Sequence, residues 1–479
     1  MMHSNKCMWY ALWTGLKCVR RKHVRRPAHG LKNAHRTLAK ATAGGYVTVA
    51  SKDSVYRRPL GLTRTLSTPA KKLDEMAQNG ITAAASVAEP DATTVTVSWS
   101  GPEAQKATFH ATWLRYNCQC RLCKQEDSEQ RISDVYNLLP AYSLQSARVE
   151  GDLLKVEWKE EKGHVGQFPL AYLQSNSYDE DAIKRAREAK KPRYLTGGKM
   201  PEVQYLNIMN SEKGVLEWLT HLNEYGLCLV KGVPSEDKEV KRVVERIWPV
   251  QQTIYGDMFD VVSLPTEGTI NIAYTSMGLS NHMDLPYYES PPGIQFLHCI
   301  QLDPCVEGGA NSFLDMFMLA EQFRERHPED FATLTRVPAT FVKHHFNREH
   351  PVSMAHKKPH ININQYGDVV GVNWAVAHEG PLNVPHEDVA PYFRAYQKFA
   401  AMIRDSKDCI IYCMVQGDMV SFNNRRFTHA RDEFQLNGGV RRLQGCYLNI
   451  DEFRSRFEVL SKLHGDGRQS KRVGNNDLQ

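Results

Sequence analysis

Three His-x-Asp pairs stand in this chain, at His282-Met283-Asp284, His386-Glu387-Asp388 and His464-Gly465-Asp466. An imidazole and a carboxylate two residues apart on a strand share one face, and together they can hold a hard divalent metal. The first pair is the one that follows an apolar, strand-like run, residues 270–275. His386 and Asp388 open an amphipathic helical pattern and are expected to cap it with both side chains in water. His464 and Asp466 lie in a polar stretch with no histidine after them. A third ligand must come from a distant strand, and His429 follows the apolar run at 418–423. His282, Asp284 and His429 would occupy one face of an octahedral iron(II), leaving three positions for a bidentate 2-oxo acid and then dioxygen.

The far end of such a co-substrate gives a second test. 2-Oxoglutarate ends in a carboxylate remote from the metal, and a buried carboxylate calls for a guanidinium fork. Arg441 lies 12 residues after His429, at the start of the strand-like run 443–448. Alternation sends the neighbouring Arg442 to the opposite face. The competing reading is that all of these are ordinary polar residues at strand ends.

A second cluster is of softer chemistry. Cys118-x-Cys120-x-x-Cys123 follows an aromatic turn, Trp113-Leu114-Arg115-Tyr116-Asn117. Thiolates on such short spacing wrap one tetrahedral soft cation and need a fourth ligand. The nearest histidine after the cluster is His164. Three Cys and one His make a closed structural zinc site with no open position for chemistry. The alternative is a set of reduced, metal-free thiols.

Elements must position these groups, and the texture of the chain divides. Residues 1–50 carry ten Lys/Arg and no acidic residue, whereas the remaining 429 residues hold 50 basic against 54 acidic groups. The positive charge therefore belongs to a leader and not to a phosphate-binding face, which argues against nucleic acid as a partner. An Arg-rich, acid-poor leader is what a mitochondrial transit peptide needs, so the matrix is the expected compartment and the cytoplasm the alternative. No apolar run approaches the roughly 18 residues that span a bilayer. With 42% apolar and 9% aromatic residues the chain can bury a full core. Eleven cysteines, mostly inside apolar runs, suit a reducing compartment.

Residues 51–92 read as linker, 93–180 as a small β domain around the cysteines, and 181–199 as a connector with a charged helix at 179–191. From 200 to 460 helices are expected at 214–225, 236–248, 316–326 and 386–404. Strands are expected at 227–232, 270–275, 293–300, 339–343, 409–415, 418–423 and 443–450. Many strands without regular helical crossovers read as a mainly β sandwich or barrel with flanking helices. Residues 461–479 read as a polar tail.

These residues carry a resemblance. From about 108 to 455 the chain resembles the γ-butyrobetaine dioxygenase and trimethyllysine dioxygenase family, the iron/2-oxoglutarate hydroxylases of carnitine biosynthesis. The likeness rests on the 113–123 motif, Asn271-Ile272-Ala273-Tyr274-Thr275, His282-x-Asp284 and Pro291-Pro292-Gly293-Ile294-Gln295-Phe296-Leu297-His298-Cys299. It extends through Gly308-Gly309 and the His429/Arg441 pair. It implies a double-stranded β-helix (jelly-roll) catalytic domain preceded by a small zinc-binding domain, with Cys118, Cys120, Cys123 and His164 on zinc and His282, Asp284 and His429 on iron.

The resemblance also implies a substrate with a trimethylammonium head, which cannot donate a hydrogen bond and must be held by aromatic faces. Tyr255, Phe259, Tyr274 and Tyr447 match that family's aromatic cage by position, and the i, i+4 pair Tyr255/Phe259 fits one helical face. The competing reading is that these aromatics fill the core. The butyrobetaine branch more often has Trp at position 259, and the family's Asn-Asn pair is missing around Asn373-Trp374-Ala375. Ascorbate as reductant and a homodimer are further implications.

Pro286, Pro291-Pro292-Gly293 and Asn271-Ile272-Ala273-Tyr274 look more like the γ-butyrobetaine branch. The basic leader and Cys446-Tyr447-Leu448 look more like the trimethyllysine branch. Remoter readings are a demethylase acting on methylated protein tails and a non-catalytic methylammonium-binding module. A structural zinc protein whose second domain mediates assembly is the remotest.

Overall fold

A computed structural model of the chain describes residues 85–87, 92–100, 105–195, 198–262 and 275–472. The leader, most of the expected linker and residues 270–274 of one expected strand lie outside the described residues. Thr275, the last residue of that expected strand, sits in a bend. Within the stretch read as linker, Ala85–Val87 pairs as an edge strand with Thr94–Trp99.

The N-terminal part is built from two three-stranded antiparallel sheets. One joins Ala85–Val87, Thr94–Trp99 and Gln105–His110, the other Leu144–Glu150, Leu153–Trp158 and Val165–Pro169. Strict alternation drives them: in Thr94–Trp99 the residues Val95, Val97 and Trp99 point inward, and in Leu153–Trp158 so do Leu154, Val156 and Trp158. The three cysteines belong to the same core. The charged helix runs Glu180–Ala189, started by the Asp179 carboxylate accepting from the Ala182 amide at 2.9 Å. Its Arg187 forks onto Asp368 with two bonds of 3.0 Å, so the connector is tied to the part that follows.

The larger part is a jelly-roll of two facing sheets. A six-stranded sheet runs in the order Glu202–Gln204, Leu227–Lys231, Met419–Asn423, Ile294–Leu302, Arg441–Leu448 and Phe259–Val262. A four-stranded sheet runs Leu279–His282, Phe427–Arg431, Asn311–Asp315, Ile410–Tyr412. All pairs are antiparallel except Glu202–Gln204 with Leu227–Lys231. Leu229, Leu297, Val420 and Phe422 of the large sheet meet Phe313 and Phe427 of the small one, with Phe313 and Phe422 rings 5.3 Å apart.

The other face of the large sheet, with Cys228, Val230, Phe296 and Cys446, is covered by Trp218, Leu219 and Leu222 of helix Glu212–Tyr225. Burial on both faces explains why Leu227-Cys228-Leu229-Val230 reads as an unbroken apolar run. Gly226, at φ +73°, ends that helix in the left-handed conformation. A Cβ there would also lie 2.9 Å from the Phe427 ring, so helix and strand approach as closely as glycine permits.

Several local expectations change. The helix expected at 236–248 is regular only over Glu239–Val244. The strand expected at 409–415 is Ile410–Tyr412. The strand at 418–423 does not lead directly to His429: Met419–Asn423 ends in a turn at 424–426 that carries the chain from the large sheet into the small one, where His429 is central in Phe427–Arg431. Asp388 is not simply in water but accepts both arms of Arg336, at 3.0 and 2.6 Å. His464 closes helix Ile450–His464, and beyond it Arg472 is buried against Asp368 at 3.0 Å, so the expected polar tail folds back as far as it is described.

One ion pair locks the sheet crossing. Arg426 donates through Nη2 and Nε to Asp315 at 2.6 and 3.1 Å, both side chains nearly inaccessible, and the same Asp315 caps helix Met316–Arg326 through the Phe317 amide at 3.0 Å. Removing one partner of a buried pair leaves the other charge uncompensated. Asp315→Asn is expected to cost about 3–5 kcal/mol of stability, read as a lower urea midpoint with little change in slope.

Candidate active site and metal centres

The strands Leu279–His282 and Phe427–Arg431 set His282 opposite His429 in antiparallel register, with ring centroids 4.1 Å apart. A bulge between Leu279 and His282 shifts that register and re-aims the end of the strand. Asp284 lies beyond the strand, so alternation along one strand does not place it. Asn424 does: its Oδ1 accepts from the Asp284 amide at 2.8 Å and its Nδ2 donates to the Asp284 carbonyl at 2.9 Å. Leu285, at φ +57°, then turns the chain away.

His282 Nδ1 donates to the Ser280 carbonyl at 2.8 Å, which leaves Nε2 facing Asp284 Oδ1 at 3.5 Å. The second carboxylate oxygen accepts from the Tyr447 hydroxyl at 2.7 Å. One ligand atom from each of His282, Asp284 and His429 lies within 4.8 Å of the others.

The protonation states suit a cation. Burial, and then the neighbouring His282, push His429 down to about 3, so its imidazole is neutral. Burial opposes the charge on Asp284, but the two imidazoles and the Tyr447 hydroxyl outweigh it and hold the carboxyl below its usual range. Among the described residues His429 Nδ1 is buried without a hydrogen-bond partner. Two imidazoles and one carboxylate on one side, with a cavity on the other, fit iron(II) with open positions.

That cavity has a volume of about 470 Å³. Arg441 enters it buried, with the Gly309 carbonyl at 3.5 Å and the Phe434 ring beneath its guanidinium at 5.1 Å. Among the described residues no carboxylate pairs with Arg441, and an unpaired buried cation invites an anion. Arg442 faces out, pairing with Asp260 and Asp237 at 2.8 Å each, as alternation requires.

On the aromatic wall Phe259 stacks on Tyr447 with centroids 5.1 Å apart. Gly445 makes room for this, since a Cβ there would lie 2.3 Å from Phe259 Cζ. Tyr255 lines the same cavity. The helical face expected for Tyr255 and Phe259 is absent: Tyr255 sits in a turn and Phe259 opens strand Phe259–Val262, and the two share the cavity through the tertiary fold rather than through a helix. Tyr274 lies outside the described residues.

The cysteine cluster is compact. His164 Nε2 lies 3.6, 3.4 and 3.5 Å from the sulfurs of Cys118, Cys120 and Cys123. A tetrahedron with zinc–sulfur bonds of about 2.3 Å and a zinc–nitrogen bond of about 2.0 Å has edges of roughly 3.5 Å between them. The other ring nitrogen, Nδ1, bonds Glu161 at 2.9 Å, and Glu161 is held in turn by Arg115 at 2.9 Å and the Tyr142 hydroxyl at 2.8 Å. Burial pushes the Cys118 and Cys123 thiols up, so a nearby cation is needed to make them thiolates.

Comparison with known proteins completes the picture. Residues 191–447, more than half of the chain, match the family described as Taurine catabolism dioxygenase TauD, TfdA family. Residues 87–174 match the Gamma-butyrobetaine hydroxylase-like N-terminal family. The chain is 31% identical over 372 residues to Gamma-butyrobetaine dioxygenase of Pseudomonas sp. strain AK-1, covering 77% of this chain and 94% of that one. It belongs to the γ-butyrobetaine and trimethyllysine dioxygenase family. It is 27% identical over 390 residues to Trimethyllysine dioxygenase of Meyerozyma guilliermondii, covering 78% of this chain and 94% of the relative. It is 26% identical over 365 residues to mitochondrial Trimethyllysine dioxygenase of Rattus norvegicus, covering 74% and 82%. The chain is thus a 2-oxoglutarate-dependent dioxygenase using iron(II), with a small molecule and dioxygen as its other substrates.

Some groups in this dioxygenase's site were not legible in the sequence. Asn424 bonds across 140 residues and carries no spacing signal. Arg431 lines the cavity beside Arg441, and burial and then that neighbouring charge lower it to about 10. Its position two residues after His429 on the same strand could have marked it, because i and i+2 share a face. Asn424→Ala should leave the fold intact and weaken iron(II) or manganese(II) binding roughly 10- to 100-fold in a calorimetric titration, because Asp284 loses both bonds that fix its backbone.

Proposed function

We propose that this dioxygenase hydroxylates γ-butyrobetaine to L-carnitine, with His282, Asp284 and His429 holding iron(II) and Arg441 receiving the far carboxylate of 2-oxoglutarate. The observation that carries this reading is the sharing of one cavity by the His282–Asp284–His429 cluster and the stacked Phe259/Tyr447 pair, linked by the 2.7 Å bond from Tyr447 to Asp284. A cation held on the Tyr447 ring is therefore close to the metal position.

When iron(II) is bound there, it couples oxidation of 2-oxoglutarate by dioxygen to succinate and CO2 with insertion of one oxygen atom into a substrate C–H bond. The chain's own residues bind and orient. The Tyr447 hydroxyl, raised far above its usual range by burial and by Asp284, stays protonated and keeps donating to the carboxylate. Tyr255, Phe259 and Tyr447 offer π faces to the trimethylammonium head, with Tyr274 assigned to the same cage from its position in the sequence. Placing one methylene toward the metal and its neighbours away is a matter of geometry, and no side chain is required to move a proton. Cys118, Cys120, Cys123 and His164 hold a structural zinc. Ascorbate would serve as reductant, and the protein would act in the mitochondrial matrix, in keeping with the acid-free leader and the mitochondrial rat relative.

Trimethyllysine is the second reading, favoured by the yeast and rat relatives named for that activity. Turnover of both compounds by iron-loaded protein, followed as succinate and as a mass gain of one oxygen, separates the two. His282→Ala should abolish both signals at unchanged far-UV circular dichroism. Phe259→Trp should lower the KM for γ-butyrobetaine about 2- to 5-fold, since an indole face attracts a cation by roughly 0.5–1 kcal/mol more than a phenyl face. Metal analysis should find zinc at one per chain, lost in Cys120→Ser, and chelation should make the three thiols reactive while lowering the melting temperature.

A further inference from the structure

The reaction above leaves two cations of the cavity unused: Arg431, whose Nη2 donates to the Thr275 and Met277 carbonyls at 2.7 Å each, and Lys343. Lys343 lines the cavity from strand Ala339–His345, on the inward face it shares with buried Ala339 and Phe341. That strand is anchored to the adjoining turn Val376–His378: Phe341 bridges Glu379, and the Gly380 amide donates to the Thr340 carbonyl at 2.8 Å. Val376 and His378 line the same cavity.

No hydrogen bond or ion pair holds the Lys343 ammonium among the described residues. Half-burial, and then the nearby cation Arg348, lower its affinity for its proton. Arg348 is near enough to add its positive charge to that of Lys343 at this wall. Among the described residues lining the cavity, Asp284 is the one carboxylate, and it is already engaged by Tyr447. The aromatic wall on strands Phe259–Val262 and Arg441–Leu448 suits a quaternary ammonium. Lys343 stands on a different element and suits the opposite charge.

We propose that Lys343 is the anchor for the substrate's carboxylate, and that its charge selects a trimethylammonium acid carrying no second ammonium group beside that carboxylate. The inference rests on the trimethylammonium reading given above and deepens it. γ-Butyrobetaine offers Lys343 a bare carboxylate. Trimethyllysine brings an α-ammonium to the same place, where it meets a like charge and no described acid to receive it. Discrimination then comes from repulsion as well as attraction.

The test compares ligands that differ only at this end. Calorimetric binding to the full chain, charged with iron(II) and 2-oxoglutarate without oxygen, is measured for γ-butyrobetaine, its carboxamide (which keeps the trimethylammonium head but has no charge at the other end) and trimethyllysine. The wild type should bind the carboxylate roughly 10- to 100-fold more tightly than the amide, the range expected for a charge-assisted bond. Lys343→Met should lose that preference while binding the amide as the wild type does. Lys343→Arg should keep the preference, and Lys343→Glu should bind trimethyllysine more tightly than the wild type does. A carboxylate preference that survives in Lys343→Met overturns the inference and leaves the substrate reading standing. Failure of the wild type to bind either butyrobetaine compound overturns both.

Discussion

Everything at the metal position depends on one strand register. His282 and His429 are 147 residues apart in the chain and face each other only because Leu279–His282 pairs with Phe427–Arg431 at that register. Slipping such a pairing by one residue would turn His429 to the opposite face of its strand. Three features guard against this. The bulge before His282 fixes where the short strand ends, the glycine-capped helix end at Gly226 butts against Phe427, and the buried Arg426–Asp315 pair fixes where the long strand begins. Asp284 needs a separate device, and the Asn424 clamp provides it from the same turn that launches the strand of His429. The turn at 424–426 therefore sets two of the three donors and the sheet crossing at once.

The two donor clusters, each of which could hold a metal ion, differ in a way that would separate structure from chemistry. Around Cys118, Cys120, Cys123 and His164 the four donors close on one another inside the core, and Glu161 with Arg115 and Tyr142 fixes the imidazole from behind. Such a site can stabilise but has nowhere to bind a reactant. Around His282, Asp284 and His429 the donors stop at three and the remaining side is a cavity. The Tyr447 hydroxyl on Asp284 corresponds to Glu161 on His164: each fixes one polar atom of a candidate donor and leaves the other atom turned toward its cluster.

Much of this was readable beforehand, for physical reasons that differ by element. Long amphipathic helices such as Met316–Arg326 and His386–Arg404, and doubly buried strands such as Leu227–Lys231, emerge from periodicity alone. Donor identity is legible where coordination chemistry restricts residue type, as in the cysteine cluster. What fails is inference from local spacing to local geometry. Tyr255 and Phe259 looked like an i, i+4 helical pair, yet they line one cavity from a turn and a strand, where Gly445 opens a slot for the Phe259 ring. Asp284 looked like a strand neighbour of His282, yet it is held by a side chain 140 residues away. Asn424, Arg431 and Lys343 gain their meaning only from what the fold sets beside them.

The electrostatics of the cavity put a cationic head at odds with its surroundings. Arg441, Arg431 and Lys343 all line it, against Asp284 as the one carboxylate among the described lining residues. A metal dication would add to the excess, so the site as a whole favours anions, and a dicarboxylate co-substrate relieves most of the imbalance. A trimethylammonium head cannot be drawn in by net charge under these conditions. It has to be held by surfaces whose attraction is local, which is what the stacked faces of Phe259 and Tyr447 supply, at short range and without an acid that would also recruit a proton or a metal. On the proposed reading, aromatic recognition of the substrate head thus follows from the charge of the site. A carboxylate in the cage would attract the head more strongly, but it would compete with Asp284 for the metal and with the co-substrate for Arg441.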